Sequence, residues 1–376
     1  FTNTGSTDEN MQFTLIPEKI LPSECSFSIN ENSNRQIQFR LNSGADEGIY
    51  SALLTARDQC DNEKSIIVLW KVAQPSVFAE DMTFQSELTG HQEKELALKN
   101  NSELPFIFHN FEIDNPSFSI DENTLPIVIP AKSTAKINIR FRPKNGSTQK
   151  GTLKINGPCG WEYMVNLTGK VKTYIVKDDF EWYPAETFPN SSWQMILRDT
   201  PADSQKVTKD EHFDGEKSLR GWGVWGLGPT RSSVFYKELP IVPDVIYAEC
   251  AVMIDRIGFL HIGLASHQES GVTTYATVDF SNHAHFLYTI GAGGSAKQGR
   301  WENDAYLPDQ WYKIKIRFDY PNKEMIIWLD GKQKAVDTAA VLPDKRYDCF
   351  FMKTTGGYSD EANGYFDSVK VWYISE

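Results

Sequence analysis

The segment Lys136-Ile137-Asn138-Ile139-Arg140-Phe141 places an apolar residue at every second position, and Thr152-Leu153-Lys154-Ile155 does the same. Side chains on a strand point alternately to two faces, so a period of two sets one face against a core and the other in water. Short runs of this kind, separated by Asn, Asp, Gly and Pro turns, recur along the chain, and from Tyr174 onward no helical period competes with them. The chain is therefore predicted to be all-β. Its 376 residues suit two or three sandwiches better than one.

An internal repeat sets the first boundaries. Phe1-Thr2-Asn3-Thr4-Gly5 aligns with Leu98-Lys99-Asn100-Asn101-Ser102, Cys25-Ser26-Phe27-Ser28-Ile29 with Pro116-Ser117-Phe118-Ser119-Ile120, and Gln38-Phe39-Arg40 with Arg140-Phe141-Arg142. The copies close on Lys71-Val72 and Lys170-Val171. The predicted domains are residues 1–74, 75–173 and 174–376. The second copy, from "LKNNSELPFIFHNFEIDNPSFSI" through "IPAKSTAKINIRFRPKNGSTQKGTLKI" to "VNLTGKV", resembles the immunoglobulin-like family of ASPM–SPD-2–Hydin and major sperm protein-like modules. That resemblance implies two tandem Ig-like β-sandwiches acting as a spacer or stalk. The first copy lacks the strand that the second carries near Val77–Phe84. A sandwich short of an edge strand accepts one from a neighbour, so self-assembly by strand donation is one expectation and a trimmed terminus the other.

Eight of the ten tryptophans lie beyond Tyr174. There Trp311-Tyr312-Lys313-Ile314-Lys315-Ile316-Arg317-Phe318-Asp319 is followed by Met325-Ile326-Ile327-Trp328-Leu329-Asp330-Gly331. These read as a strand with Tyr312, Ile314, Ile316 and Phe318 inward, a second strand, and an Asp-Gly turn. With Phe213-Asp214-Gly215-Glu216-Lys217-Ser218-Leu219 and Gly364-Tyr365-Phe366-Asp367-Ser368-Val369-Lys370-Val371, the hairpin resembles the concanavalin A-like, laminin-G-like jelly rolls. The resemblance implies a structural calcium ion where the first and last strands meet the Gly-Lys-Ser-Leu turn. By position it would be held by Asp179, Glu181, Asp214 and Asp367; solvated strand-end acids are the plainer alternative.

Jelly rolls can display rings to sugars, whose apolar C–H faces stack on aromatic side chains while polar groups bind the hydroxyls. The candidates are Trp222, Trp225, Tyr288 and Trp301, with Asn282, His283, His285 and Arg300 as polar partners. In Gly221-Trp222-Gly223-Val224-Trp225-Gly226-Leu227-Gly228, a strand would send the two tryptophans to opposite faces, one into the core and one onto a platform left open by the glycines.

Catalytic patterns are weaker. The glycoside hydrolase pattern Glu-x-Asp-x-x-Glu has its nearest match in Glu181-Trp182-Tyr183-Pro184-Ala185-Glu186, where a tyrosine replaces the aspartate and a proline interrupts the strand. For a polysaccharide lyase, His283-Ala284-His285 would put two imidazoles on one strand face, and Phe351-Met352-Lys353-Thr354-Thr355-Gly356-Gly357-Tyr358 is distantly similar to a lyase strand.

A net charge of −12 argues against nucleic acid, and no apolar run is long enough to span a membrane. The sequons at Asn100, Asn145, Asn166 and Asn190 point outside the cell. The five cysteines show no CxxC spacing. Cys25 with Cys60, and Cys250 with Cys349, would pair within single domains and leave Cys159 over; buried free thiols are the alternative. The expected function is a non-catalytic extracellular or cell-surface protein that binds a glycan or other surface component. An extracellular filament subunit and a carbohydrate-active enzyme are the alternatives.

Overall fold

The structure is a computed structural model that describes residues 9–16, 20–22, 26–29, 39–41, 48–58, 60–72, 76–108, 110–120, 126–157, 161–198, 200–201, 203–226, 230–268, 271–292, 297–337, 346–357 and 360–376. Among the described residues there is no helix, and the protein is all-β. Two compact units are formed. The first holds residues 1–84, 92–141 and 150–168, and the second residues 85–91, 142–149 and 169–376.

The first unit opens with β1 (Glu9–Ile16), β2 (Ile20–Pro22), β3 (Ser26–Ile29), β4 (Phe39–Leu41), β5 (Gly48–Arg57) and β6 (Glu63–Val72). A four-stranded antiparallel sheet runs β3-β1-β5-β6, and β2 pairs with β4. Next come β7 (Val77–Phe78), β8 (Met82–Glu87), β9 (Gln92–Asn100), β10 (Phe106–Phe108), β11 (Asn110–Ile113), β12 (Phe118–Ile120), β13 (Ile127–Ile129), β14 (Thr134–Phe141) and β15 (Gln149–Asn156). A second sheet runs β12-β14-β9-β7, while β11 pairs with β15 and β10 with β13. The alternation read in β14 and β15 is realised: Ile137, Ile139, Phe141, Leu153 and Ile155 are buried. Asn100 is buried too, and its amide donates to the carbonyls of Leu104, Ile129 and Pro130. A glycan on Asn100 would have to displace these bonds, which corrects that sequon, whereas Asn145, Asn166 and Asn190 are exposed.

The remaining strands are β16 (Glu162–Asp178), β17 (Gln194–Arg198), β18 (Lys206–Thr208), β19 (Ser218–Val224), β20 (Ser232–Glu238), β21 (Val245–Ile254), β22 (Phe259–Gln268), β23 (Gly271–Phe280), β24 (His285–Ala292), β25 (Lys297–Ala305), β26 (Tyr312–Asp319), β27 (Glu324–Leu329), β28 (Lys332–Asp337), β29 (Cys349–Gly356) and β30 (Glu361–Ile374). Seven strands form one sheet in the order β17-β20-β29-β22-β23-β24-β25. The other runs β30-β21-β26-β27-β28, with β19 and the last residues of β16 pairing different stretches of β30. Tyr312, Ile314, Ile316 and Phe318 do point inward, packing with Leu260, Ile262, Val278, Phe280 and Phe350 in one core. Asp330 and Gly331 take positive φ at the predicted turn.

Gly221 and Gly223 of GWGVWGLG answer to this packing, and Gly228 lies outside the described residues. A Cβ on Gly223 would lie 2.6 Å from the backbone carbonyl carbon of Thr355 on β29, and one on Gly221 would lie 2.8 Å from the Phe235 ring. Gly364 on β30 has Thr354 Oγ1 at 2.4 Å from its Cβ position. The two sheets pack closely along this seam, so Gly221 and Gly223 open no platform. Trp222, between them, is buried, and its indole nitrogen faces Glu361 at 3.4 Å.

Cys250 and Cys349 are buried free thiols, which corrects the pairing drawn from domain membership. They stand on β21 and β29, strands of opposite sheets, and their sulfurs donate instead to the carbonyls of Asp367 and Ala265. Cys60 is an exposed free thiol; Cys25 and Cys159 lie outside the described residues. We predict that Gly223→Ala lowers stability by about 1–3 kcal/mol through overpacking of the seam. Gly146→Ala, whose Cβ would meet only Thr173 Oγ1 at 3.8 Å, should change it by no more than about 0.5 kcal/mol. Urea denaturation of both variants checks this.

Candidate functional site

The four acids assigned to calcium converge in part. Gly215 takes φ +70°, and a Cβ there would strike Glu181 Oε1 at 2.4 Å, so the glycine makes room for that carboxylate. Glu181 Oε1 accepts from the amides of Glu216 and Lys217, both at 2.8 Å. Asp367, fully buried, accepts from the amides of Phe213 at 2.9 Å and Asp214 at 3.0 Å. Burial pushes the Asp367 carboxyl up; its amide bonds lower it in part, and Glu181 raises it further. Asp179 and Asp214 bond amides of their own turns, those of Glu181 and Gly215.

This donor set does not fit a calcium ion. Hard cations need converging oxygens, yet the carboxylates here meet N–H groups. The Glu181 and Tyr183 carbonyls instead receive the Lys217 ammonium at 2.7 and 3.0 Å. The lysine of the Gly-Lys-Ser-Leu turn thus supplies the positive charge at the corner. We predict that Lys217→Met costs about 1–3 kcal/mol by orphaning these carbonyls. Calcium or a chelator should leave the melting temperature of the unaltered protein in place; a calcium-dependent rise would overturn the assignment.

The sugar-binding candidates are scattered by the fold. His283 lies in the tight turn that joins β23 to β24, with Ala284 at φ +60°, and only His285 enters the strand. The expected pair of imidazoles on one strand face is therefore not formed. Asn282 sits in the same turn. Tyr288 pairs with core-facing Val278, packs against the core, covers Gly299 and reaches Asp337 with its hydroxyl at 3.4 Å, so it belongs to the interior side. Arg300 and Trp301 are on β25, where the register sets Arg300 opposite Leu287. Trp225 follows β19, half-buried, with its ring edge-on to Phe259 at 5.3 Å.

The seven-stranded sheet turns its odd-numbered β22 residues away from the core. In register across five strands, Lys353 of β29 faces His261 of β22, His261 faces Asp279 of β23, Asp279 faces Leu287 of β24, and Leu287 faces Arg300 of β25. His261 Nδ1 lies 2.9 Å from Asp279 Oδ1, and Thr289 donates its hydroxyl to the other oxygen. Asp279 is buried while His261 is a quarter exposed. Burial pushes the Asp279 carboxyl up, but attraction to His261 and hydrogen bonds from His261, Thr289 and Thr277 outweigh it and hold the group below the usual carboxylate range. The Phe259 ring lies two residues before His261, nearly coplanar in tilt with it. Tyr236, Phe351, Val234, Ala265 and Cys349 form a buried apolar cluster on the same face, and Tyr236 stacks on His267 at 5.0 Å.

None of His261, Asp279 or Phe259 was singled out from the sequence; Lys353 appeared only as part of the lyase-like stretch Phe351–Tyr358. The four come from three separate strands, and the only local signal was alternation of polar and apolar residues in Phe259–Leu264. On the opposite sheet the rings are capped: Lys315 lies 4.5 Å from the Trp328 ring centroid, and Lys172 lies 4.3 Å from that of Trp372 and 4.5 Å from that of Tyr174.

No protein-family model matches the chain, and no curated protein matches it. Among solved structures it is similar to a sialidase at 11% identity with a TM-score of 0.39, over 86% of this chain and 31% of that one. A structure from work on endo-acting O-glycanases of the human gut microbiota is 12% identical, TM-score 0.39, over 53% of this chain and 98% of that one. The GH16 protein of the Bacteroides ovatus mixed linkage glucan PUL is 12% identical, TM-score 0.37, over 53% and 99%. At these values the functional reading rests on the residues of this chain alone.

Because the Asp279 carboxyl is lowered in the folded state, its contribution to stability is complete above the unfolded carboxylate value of about 3.9 and is lost as pH falls below it. Asp279→Asn should therefore flatten the loss of urea resistance between about pH 5 and pH 2. An unchanged acid limb would show that the His261–Asp279 pair is not formed.

Proposed function

We propose that the second unit is a carbohydrate-binding module of an extracellular or cell-surface protein, and that it binds with the outer face of its seven-stranded sheet. One observation carries this: the Trp225–Phe259 ring pair stands beside a histidine held in place by a buried acid. Rings supply the stacking surface and the anchored imidazole a fixed hydrogen-bonding group, the two parts that sugar recognition needs. On the other sheet lysines lie over the rings of Trp328, Trp372 and Tyr174.

A second reading, that of an enzyme, is favoured by the same pair. With Asp279 bound to Nδ1, the imidazole is oriented as a general base is, by an acid that fixes its tautomer. The first unit would serve as a stalk in either case.

Binding to an array of neutral and acidic glycans tests the module. Trp225→Ala should weaken binding at least tenfold with the fold intact. Trp222→Ala should instead cost about 3–5 kcal/mol of stability, because that ring is buried. Bond cleavage in a parallel turnover assay, lost in His261→Ala, would establish the enzyme; binding unaffected by Trp225→Ala would remove this face from consideration.

A further inference from the structure

The other sheet of the second unit carries a strip whose charges do not balance. Its inner side buries Val176, Ile314, Ile316, Val369 and Val371, and the residues that alternate with these lie on the outer side. One register row crosses five strands there. Lys177 of β16 faces Lys370 of β30, Lys370 faces Glu249 of β21, Glu249 faces Lys315 of β26, and Lys315 faces Trp328 of β27. Glu249 Oε1 lies 3.4 Å from Lys313 Nζ and 3.8 Å from Lys370 Nζ, so two ammoniums share one carboxylate. Among the described residues, neither Lys315 nor Lys172 forms an ion pair. Lys315 lies over the Trp328 and Tyr247 rings instead, and Lys172 over those of Trp372 and Tyr174. Burial pulls the Lys172 ammonium below the usual lysine range, and Lys370 and Lys315 add to this against Glu87 and Glu249. Arg317 is balanced by Asp319 and Glu324. In a chain of net charge −12, this strip is lysine-rich, and the acids that border its lysines are Glu249 and Glu87.

Like charges held this close favour a ligand that brings negative charge to them. The row is linear and spans four strand spacings, about 19 Å. Lys172, Lys313, Lys315 and Lys370 are half-buried, so their ammoniums lie within the strip and do not project from it. A slender chain can settle into such a strip, whereas a bilayer surface meets projecting groups. We infer that the strip binds a linear anionic polysaccharide, bearing carboxylate or sulfate groups, that runs across the strands from Lys177 to Lys315. The strip lies on the sheet opposite the Trp225–Phe259 face, and its ligand does not depend on that site.

The test uses the full chain and titration calorimetry, with polygalacturonate for carboxylate, dextran sulfate for sulfate and dextran as a neutral control. At least one anionic polymer should bind, more weakly as salt rises, and dextran should not. The double variant Lys315→Gln/Lys370→Gln should weaken binding by about tenfold or more. Lys177→Gln, at an exposed position, should weaken it too and serves if the double variant folds poorly. Glu249→Gln removes the shared carboxylate and should tighten binding, which a purely structural role for these lysines would not produce. Binding that survives the lysine substitutions and falls in Trp225→Ala would move the polymer to the seven-stranded sheet and overturn the strip. So would failure of both anionic polymers, including the case where phosphatidylglycerol vesicles bind in their place. A glycan-array signal lost in Trp225→Ala alongside that failure would leave the carbohydrate module standing.

Discussion

The close approach of two sheets along Gly221, Gly223 and Gly364 on one side and Thr354–Gly356 on the other sets the second unit. A side chain at those positions would strike atoms of the facing sheet, Thr354 and Thr355 of β29 among them, so the glycines fix where β19 and β30 lie against β29. That placement buries Trp222, and the chain beyond the seam carries Trp225 to the ring of Phe259. The same feature of the core therefore decides which tryptophan is structural and which stands at the candidate site.

Around this core, two carboxylates show how burial and hydrogen bonding divide the work. Asp367 meets backbone amides and remains hard to ionise, tying the Phe213–Asp214 turn to the last strand. Asp279 meets a histidine and threonine hydroxyls and remains easy to ionise, orienting an imidazole toward the surface. Both are buried, so the neighbours rather than the depth decide the direction of each shift. At the strand-end corner, the Lys217 ammonium donates to the carbonyls of Glu181 and Tyr183.

Much of the architecture could be read from local pattern. Alternation in β14, β15 and β26 predicted which residues enter the core, and the Asp330–Gly331 turn was visible as a dipeptide. The convergence of Glu181, Asp214 and Asp367 on one turn was also legible, because motif order implied it. What they bind was not, since a carboxylate facing an amide and one facing a cation look the same in a sequence. His283 and His285 illustrate the opposite failure: the spacing suits a strand face, but Ala284 takes a left-handed conformation inside a turn.

The amino-acid order by itself determined that the chain is all-β, where its strongest strands lie and which of their residues are apolar inward, because these depend on a period of two within a few residues. Only the tertiary structure decided which rings carry a lysine over them, that Cys250 and Cys349 stand on opposite sheets, and that Lys353, His261 and Asp279 form one row. Those facts depend on strand order and register between segments up to about ninety residues apart in the chain, and no local periodicity encodes which strand becomes whose neighbour.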